Sequence, residues 1–198
     1  MAFEKHREEL EQRRAKALAM GGPKKLAERA AQGILNARER IERLADPGTF
    51  LETGLFATSN RPEARDRSPA DGKIAGYAKL EGREVGIVSN DFTVMGASSS
   101  TVNTSKVGHV KHVATRRGLP MVFLGESTGA RMPDVMGAAG ITAGDRPTQY
   151  RRTRETPWVS AVLGHCYGSS SWYAALADFV ATAWPSIESA LQRTREHR

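Results

Sequence analysis

One cysteine, Cys166, stands among 198 residues. It excludes an internal disulfide framework and fits a reducing compartment, and no Cys/His spacing resembles a metal site, so no metal is expected. There is no run of about eighteen apolar residues, and no basic-then-apolar N-terminus with a small-residue cleavage site. Neither a membrane span nor a secretory signal is indicated, which makes the cytoplasm the expected compartment. Aromatic residues are only 7% of the chain and do not interleave with its basic clusters, unlike a base-stacking surface, so a nucleic-acid partner is not expected. The phosphate-loop pattern ending in Gly-Lys-Ser/Thr is missing, as is a Gly-x-Ser-x-Gly nucleophile elbow.

What is present has the size of one ordinary globular domain plus an appendage: 39% hydrophobic, 26% charged and a net charge of +7. The positive residues gather in the N-terminal region and in residues 146–154. The first group reads as a solvated helix face. The second reads either the same way or as a field that concentrates a phosphate-bearing ligand.

Residues 1–20 are charge-rich, with Phe3, Leu10 and Leu18 as the large apolar positions, and predict a helix that is mobile or packed on a partner. Gly21, Gly22 and Pro23 end it. Leu26, Ala30, Ile34, Ala37, Ile41 and Leu44 then recur every three or four residues, predicting one amphipathic helix up to Asp46 and Pro47. Residues 59–71 read as a loop. Residues 73–80 and 84–90, joined at Glu81 and Gly82, read as a hairpin. Residues 102–117 predict a helix, Gly118 and Pro120 a break, and residues 121–124 a buried strand. Residues 158–163 repeat the strand, 164–171 form a small-residue turn, and 172–180 an apolar stretch. Alternating strands and helices favour a layered α/β domain. Lys106, Lys111 and His112 read as solvated helix charges.

The chemistry-bearing patterns are three. GHCYGSSS (164–171) is a glycine-containing strand-to-helix turn of the kind whose backbone N–H groups suit an oxyanion; a plain tight turn is the other reading. GESTGAR (125–131) follows the apolar strand. DFTVMGAS (91–98) is rich in small residues. Ser169 with His165 lacks a specified third, orienting acid, and Cys166 with His165 is adjacent in sequence, which seldom gives a working dyad because thiol-enzyme partners usually come from separate segments.

Residues 37–52 (ARERIERLADPGTFLE), 71–144 and 158–179 (WVSAVLGHCYGSSSWYAALADF) together resemble the N-terminal half of a biotin-dependent acyl-CoA carboxylase carboxyltransferase β subunit, of the propionyl-CoA, acetyl-CoA and methylcrotonoyl-CoA carboxylase type. The resemblance implies a crotonase/ClpP-like ββα spiral carrying N-terminal helices. It divides the chain into a charged N-terminal helix (1–22), a carboxyltransferase N-terminal-type domain (23–180) and a divergent C-terminal tail (181–198).

The activity implied is acyl-CoA binding by one half of a site that moves a carboxyl group from carboxybiotin to the α carbon of an acyl-CoA. In the family the deprotonation is attributed to the biotin ureido group, so no general base is sought here. The amides of Gly168 and Ser169 map onto the oxyanion-holding pair, although Ser169 stands where glycine is common and would be strained at positive φ. Gly164 maps onto the first glycine of that stretch. Gly129 and Ala130 map onto the thioester or pantetheine path, with Thr128 in place of a glycine. Arg131 is expected to meet phosphate or to hold a carboxylate such as Glu126, and an internal ion pair is the alternative. Gly137, in the small-residue segment Gly137, Ala138, Ala139 and Gly140, is expected to close over ligand.

Implied partners are a carboxyltransferase C-terminal-type domain and a biotin carrier or biotin carboxylase subunit, in a homo- or hetero-oligomer. A second reading is a noncatalytic paralogue or assembly subunit that keeps only acyl-CoA binding.

Overall fold

A computed structural model of the protein describes residues 2–135 and 156–182. Among the described residues six strands form one sheet in chain order: β1 (Leu51–Glu52), β2 (Lys73–Leu80), β3 (Arg83–Asn90), β4 (Met121–Thr128), β5 (Trp158–Tyr167) and β6 (Phe179–Thr182). The first three pair antiparallel, and β3 through β6 run parallel. The expected hairpin is present, its turn amides at Glu81 and Gly82 donating to the Asp46 carboxylate at 2.9 and 2.8 Å.

The helices are α1 (Ala2–Leu18), α2 (Pro23–Ala30), α3 (Ala37–Leu44), α4 (Pro62–Arg65), α5 (Thr101–Arg117), α6 (Met132–Val135) and α7 (Ser169–Leu176). Short 3-10 turns occupy Pro69–Gly72 and Met95–Ala97. Side chains alternate across strands, so each face of the sheet has its own core. On one face Ile74, Ala78, Ile87 and Leu124 pack with Ala37 and Ile41 of α3. On the other, Ala75, Val88, Met121, Phe123 and Trp158 pack with Val107, Val110 and Ala114 of α5 and Tyr173 of α7.

Three expectations change. The amphipathic stripe expected as one helix is two, because the chain leaves the helical course at Gly33 (φ 71) and restarts at Asn36. There the Asn36 side chain accepts the Arg38 and Glu39 amides while Glu39 reaches back to the Asn36 amide, a reciprocal cap that makes position 36 a helix start. The strand expected at 121–124 runs to Thr128 and that at 158–163 to Tyr167, so the turn expected over 164–171 shrinks to Gly168, with helix following at once. The third is Lys106, which is 8% exposed rather than solvated; its ammonium donates to the carbonyls of Lys73 (2.6 Å) and Ala70 (3.3 Å). Lys111 instead lies over the Trp158 ring, 5.0 Å from its centroid.

Candidate functional site

The carboxyl ends of parallel strands are where an α/β sheet presents ligand sites, since helix N-termini and loops converge there. Here Thr128 pairs with Tyr167, so the next residues, Gly129 and Gly168, meet. A Cβ on Gly168 would lie 3.0 Å from the Gly129 Cα and 3.6 Å from the Ala130 nitrogen, so this approach requires glycine. Gly168 (φ 60, ψ −124) and Gly129 (φ 100) both hold backbone that L side chains rarely adopt.

Gly168 is the cap of α7 and Ser169 its first helical residue. The first amides of a helix have no partner within it and sit at the positive end of its dipole. The strain foreseen for serine at 169 does not arise, because Ser169 takes helical backbone and the positive φ falls on Gly168. Gly168 and Ala130 are exposed, while Gly129 is buried.

Thr128, in place of a glycine, is accommodated by Gly96: a Cβ on Gly96 would lie 2.6 Å from Thr128 Cγ2, and Thr128 Oγ1 donates to the Gly96 carbonyl at 3.2 Å.

Beneath the Gly129 turn is a buried polar platform. Arg131, 4% exposed, pairs with Asp71 (2.6 Å) and donates to Ser98 Oγ (3.1 Å) and the Ser98 carbonyl (3.2 Å). Its guanidinium therefore faces inward, and Asp71 also accepts the Ser100 hydroxyl and the Asn103 amide at 3.1 Å. The small-residue loop of residues 91–98 supplies the carbonyls on which this platform rests. Ser99 N donates to the Gly129 carbonyl and Arg131 N to the Ser99 carbonyl, both at 2.8 Å, which ties the turn to that loop.

Glu126 is held by arginines other than Arg131. Arg29 of α2 contacts both its oxygens at 2.7 Å and Arg40 of α3 one of them at 2.8 Å. Between the pairs Gly125–Val162 and Ser127–Cys166, Glu126 stands opposite Leu163, Gly164 and His165. Gly164 lies inside β5 rather than at the turn, and a Cβ there would come within 2.8 Å of a Glu126 oxygen. Its smallness thus makes room for this buried carboxylate. The His165 ring is 6.0 Å from that of Phe92 and 6.1 Å from that of Tyr167, centroid to centroid. Burial pushes the Cys166 thiol up, which keeps it protonated and unreactive near neutral pH. Gly137, the basic residues 146–154 and most of the tail lie outside the described residues.

Sequence reasoning missed Lys73, Ser127 and Asp71. The available signal was a lysine opening the apolar run KIAGYA.

The profile of the carboxyl transferase domain matches residues 28–184. The chain belongs to the carboxyl transferase domain family. It is 33% identical over 176 residues to the propionyl-CoA carboxylase beta chain of Cereibacter sphaeroides, covering 87% of this chain and 34% of that one. It is 32% identical over 177 residues to the methylmalonyl-CoA decarboxylase subunit alpha of Veillonella parvula, covering 86% and 34%. The transcarboxylase 12S structure with methylmalonyl-coenzyme A and methylmalonic acid bound aligns with a TM-score of 0.77 at 30% identity, over 90% of this chain and 36% of that one. This carboxyl transferase domain therefore has the crotonase-like fold that the resemblance implied, and it spans about a third of the length of the relatives it matches. No helix among the described residues is long and apolar enough to cross a membrane. Nor, among those residues, do three or more His, Cys, Asp or Glu side chains cluster as a metal site would require.

Proposed function

We propose that this chain supplies the acyl-CoA-binding half of a carboxyltransferase, acting on a short acyl-CoA of the acetyl-CoA or propionyl-CoA class. Proton loss from the α carbon moves negative charge onto the thioester oxygen, and the amides of Gly168 and Ser169 hold that charge. The observation that carries this reading is the meeting of Gly129 and Gly168 at the carboxyl ends of β4 and β5, in a chain of the carboxyl transferase domain family. Such donors are preorganised, need no change of protonation, and sit at the positive end of α7; one donor of this kind contributes about 3 to 4 kcal/mol in enzymes where it has been removed.

Gly129 and Ala130 line the thioester path beside these amides. Gly164 acts indirectly, by seating Glu126 beneath the strand end, and Arg131 by fixing the turn. Gly137 completes the proposed acyl-CoA contacts. Carboxybiotin, delivered by a biotin carrier, supplies the carboxyl group and the ureido base. A carboxyltransferase C-terminal-type domain completes the site across an oligomer interface.

The 32% identity to a methylmalonyl-CoA decarboxylase subunit favours one further reading: the same amides hold the enolate formed when a carboxyl group leaves. Calorimetric titration with acetyl-CoA and propionyl-CoA, with free CoA as control, tests the shared claim. Saturable binding that favours the thioesters is expected; a folded sample that binds none of them sinks it. Single-turnover assay with the C-terminal-type domain and carboxybiotin then separates carboxyl gain from carboxyl loss.

A further inference from the structure

We propose that Lys73 is a positioning residue of this site, its ammonium fixing the turn that carries Gly129 against Gly168. The inference rests on the acyl-CoA reading above. Lys73 opens β2 and is 2% exposed. Its Nζ donates to the Ala97 carbonyl at 3.0 Å, and the same carbonyl accepts the Ser127 hydroxyl at 3.1 Å. The Ser127 Oγ in turn accepts the Gly129 amide at 3.0 Å. Three consecutive hydrogen bonds therefore connect a buried cation to the backbone of the turn that meets Gly168.

The Gly129 amide and the Ser127 hydroxyl form a donor chain that ends on the Ala97 carbonyl, and the ammonium fixes that carbonyl in place as its second, charged donor. The carbonyl, which Ser127 would satisfy alone, has a second and stronger partner. Nothing in strand formation calls for a lysine at this inward position, where burial of a charge is costly.

The groups facing the ammonium are Asp71 from the preceding turn, Arg131 from the loop after β4 and Cys166 from β5. Burial dominates, Asp71 opposes it and Arg131 adds to it, leaving the Lys73 amine held down to about 7. The anchor is therefore a charged donor below neutral pH and weakens to a neutral one as pH rises through neutrality. Lys106, whose Nζ donates to the Lys73 carbonyl, is itself held down by burial to about 8, so the Lys73 side-chain signal is what identifies the midpoint that matters.

The test is an amide spectrum of the isotopically labelled chain from about pH 6 to about pH 9, reading the Gly129 and Gly168 amides together with the Lys73 side chain. The same series is run on Lys73→Met and Lys73→Arg. The Gly129 resonance is expected to move with the Lys73 midpoint in the wild type. It should stay at its high-pH position in Lys73→Met, and stay insensitive to pH in Lys73→Arg, whose charge does not titrate. Propionyl-CoA affinity should fall about tenfold through the same midpoint in the wild type and remain flat in both variants.

A Gly129 amide that ignores the titration of Lys73 overturns the proposal, and this wild-type reading decides it even where a variant fails to fold. Coupled titration of Lys73 and Gly129 without propionyl-CoA binding at any pH would uphold the anchor and strike the acyl-CoA reading instead.

Discussion

The two ends of the sheet are built from different chemistry. At the end where β4 and β5 begin, Met121, Phe123 and Trp158 are almost fully buried, with the Phe123 ring stacked on Tyr173 at 4.3 Å between centroids and 5.2 Å from Trp158. At the end where those strands finish, the buried residues are Lys73, Asn90, Glu126 and Ser127, with Asp71 and Arg131 beside them. Burying apolar area stabilises by about 25 cal/mol per Å², whereas buried polar groups stabilise little net and cost much when a partner is lost. The apolar end therefore carries stability, and the polar end carries geometry.

The sharpest break of that comparison is Phe123→Ala. It should cost about 4 kcal/mol in urea denaturation and leave the propionyl-CoA affinity of the folded fraction unchanged. Glu126→Gln comes next. It leaves Arg29 and Arg40 without their carboxylate, with side chains only 14% and 7% exposed, and should cost about 3 kcal/mol. Unlike Phe123→Ala, it should also weaken acyl-CoA binding, because Glu126 immediately precedes the platform and sets the bulge in β5.

Gly168→Ala should cost stability by only about 1 to 2 kcal/mol, yet abolish the preference for thioester over free CoA, since the added methyl group pushes on Gly129.

The pH response divides the two properties further. Burial holds Lys73 down to about 7 and Lys106 down to about 8, against an ordinary 10.5. Between those values the unfolded chain binds more protons than the folded one, so the contribution of these lysines to stability rises with pH. Lys73→Met should therefore be most stable relative to wild type at or below pH 7, with the difference shrinking by up to about 1.4 kcal/mol per pH unit above it. Denaturation at a series of pH values reads this directly. Over the same range acyl-CoA affinity in the wild type is expected to fall, so stability from Lys73 and function move in opposite directions. The smallest effect belongs to Arg117→Ala. Its pair with Glu84 is 57% and 48% exposed, and loss of it should change stability by less than about 0.5 kcal/mol.

The same contrast explains what was legible in the sequence. The hairpin, α5 and the strands of the apolar end follow from local periodicity and turn residues, because the signals and the structure they specify lie within a few positions of each other. The split between α2 and α3 was obscured by apolar spacing that runs straight across Gly33 and Asn36; the cap pair Asn36 and Glu39 was the local signal that outweighed it. The strand ends were read short because Glu126, Ser127, Gly164 and His165 look like loop composition. Glu126 and Ser127 remain in a strand because their polar groups find partners far along the chain, in Arg29 and Arg40 and in the Ala97 carbonyl, and Gly164 because its smallness seats Glu126.

The likeness to carboxyltransferases drew attention to Gly129 and Gly168, but the platform of Asp71, Lys73 and Ser127 needs three-dimensional neighbours to be seen. The sequence leaves Arg131 open to phosphate contact or internal pairing, and its inward pair with Asp71 is a relation across sixty positions that no spacing rule encodes.

The most direct test of the central claim, that the carboxyl ends of β4 and β5 hold the thioester, is an amide map of the protein titrated with propionyl-CoA and, separately, with free CoA. The account predicts that the shifts specific to the thioester are largest at Gly129, Ala130, Gly168 and Ser169. Thioester-specific shifts concentrated at the apolar end, around Val85 and Met121, or no difference between the two ligands, would contradict it.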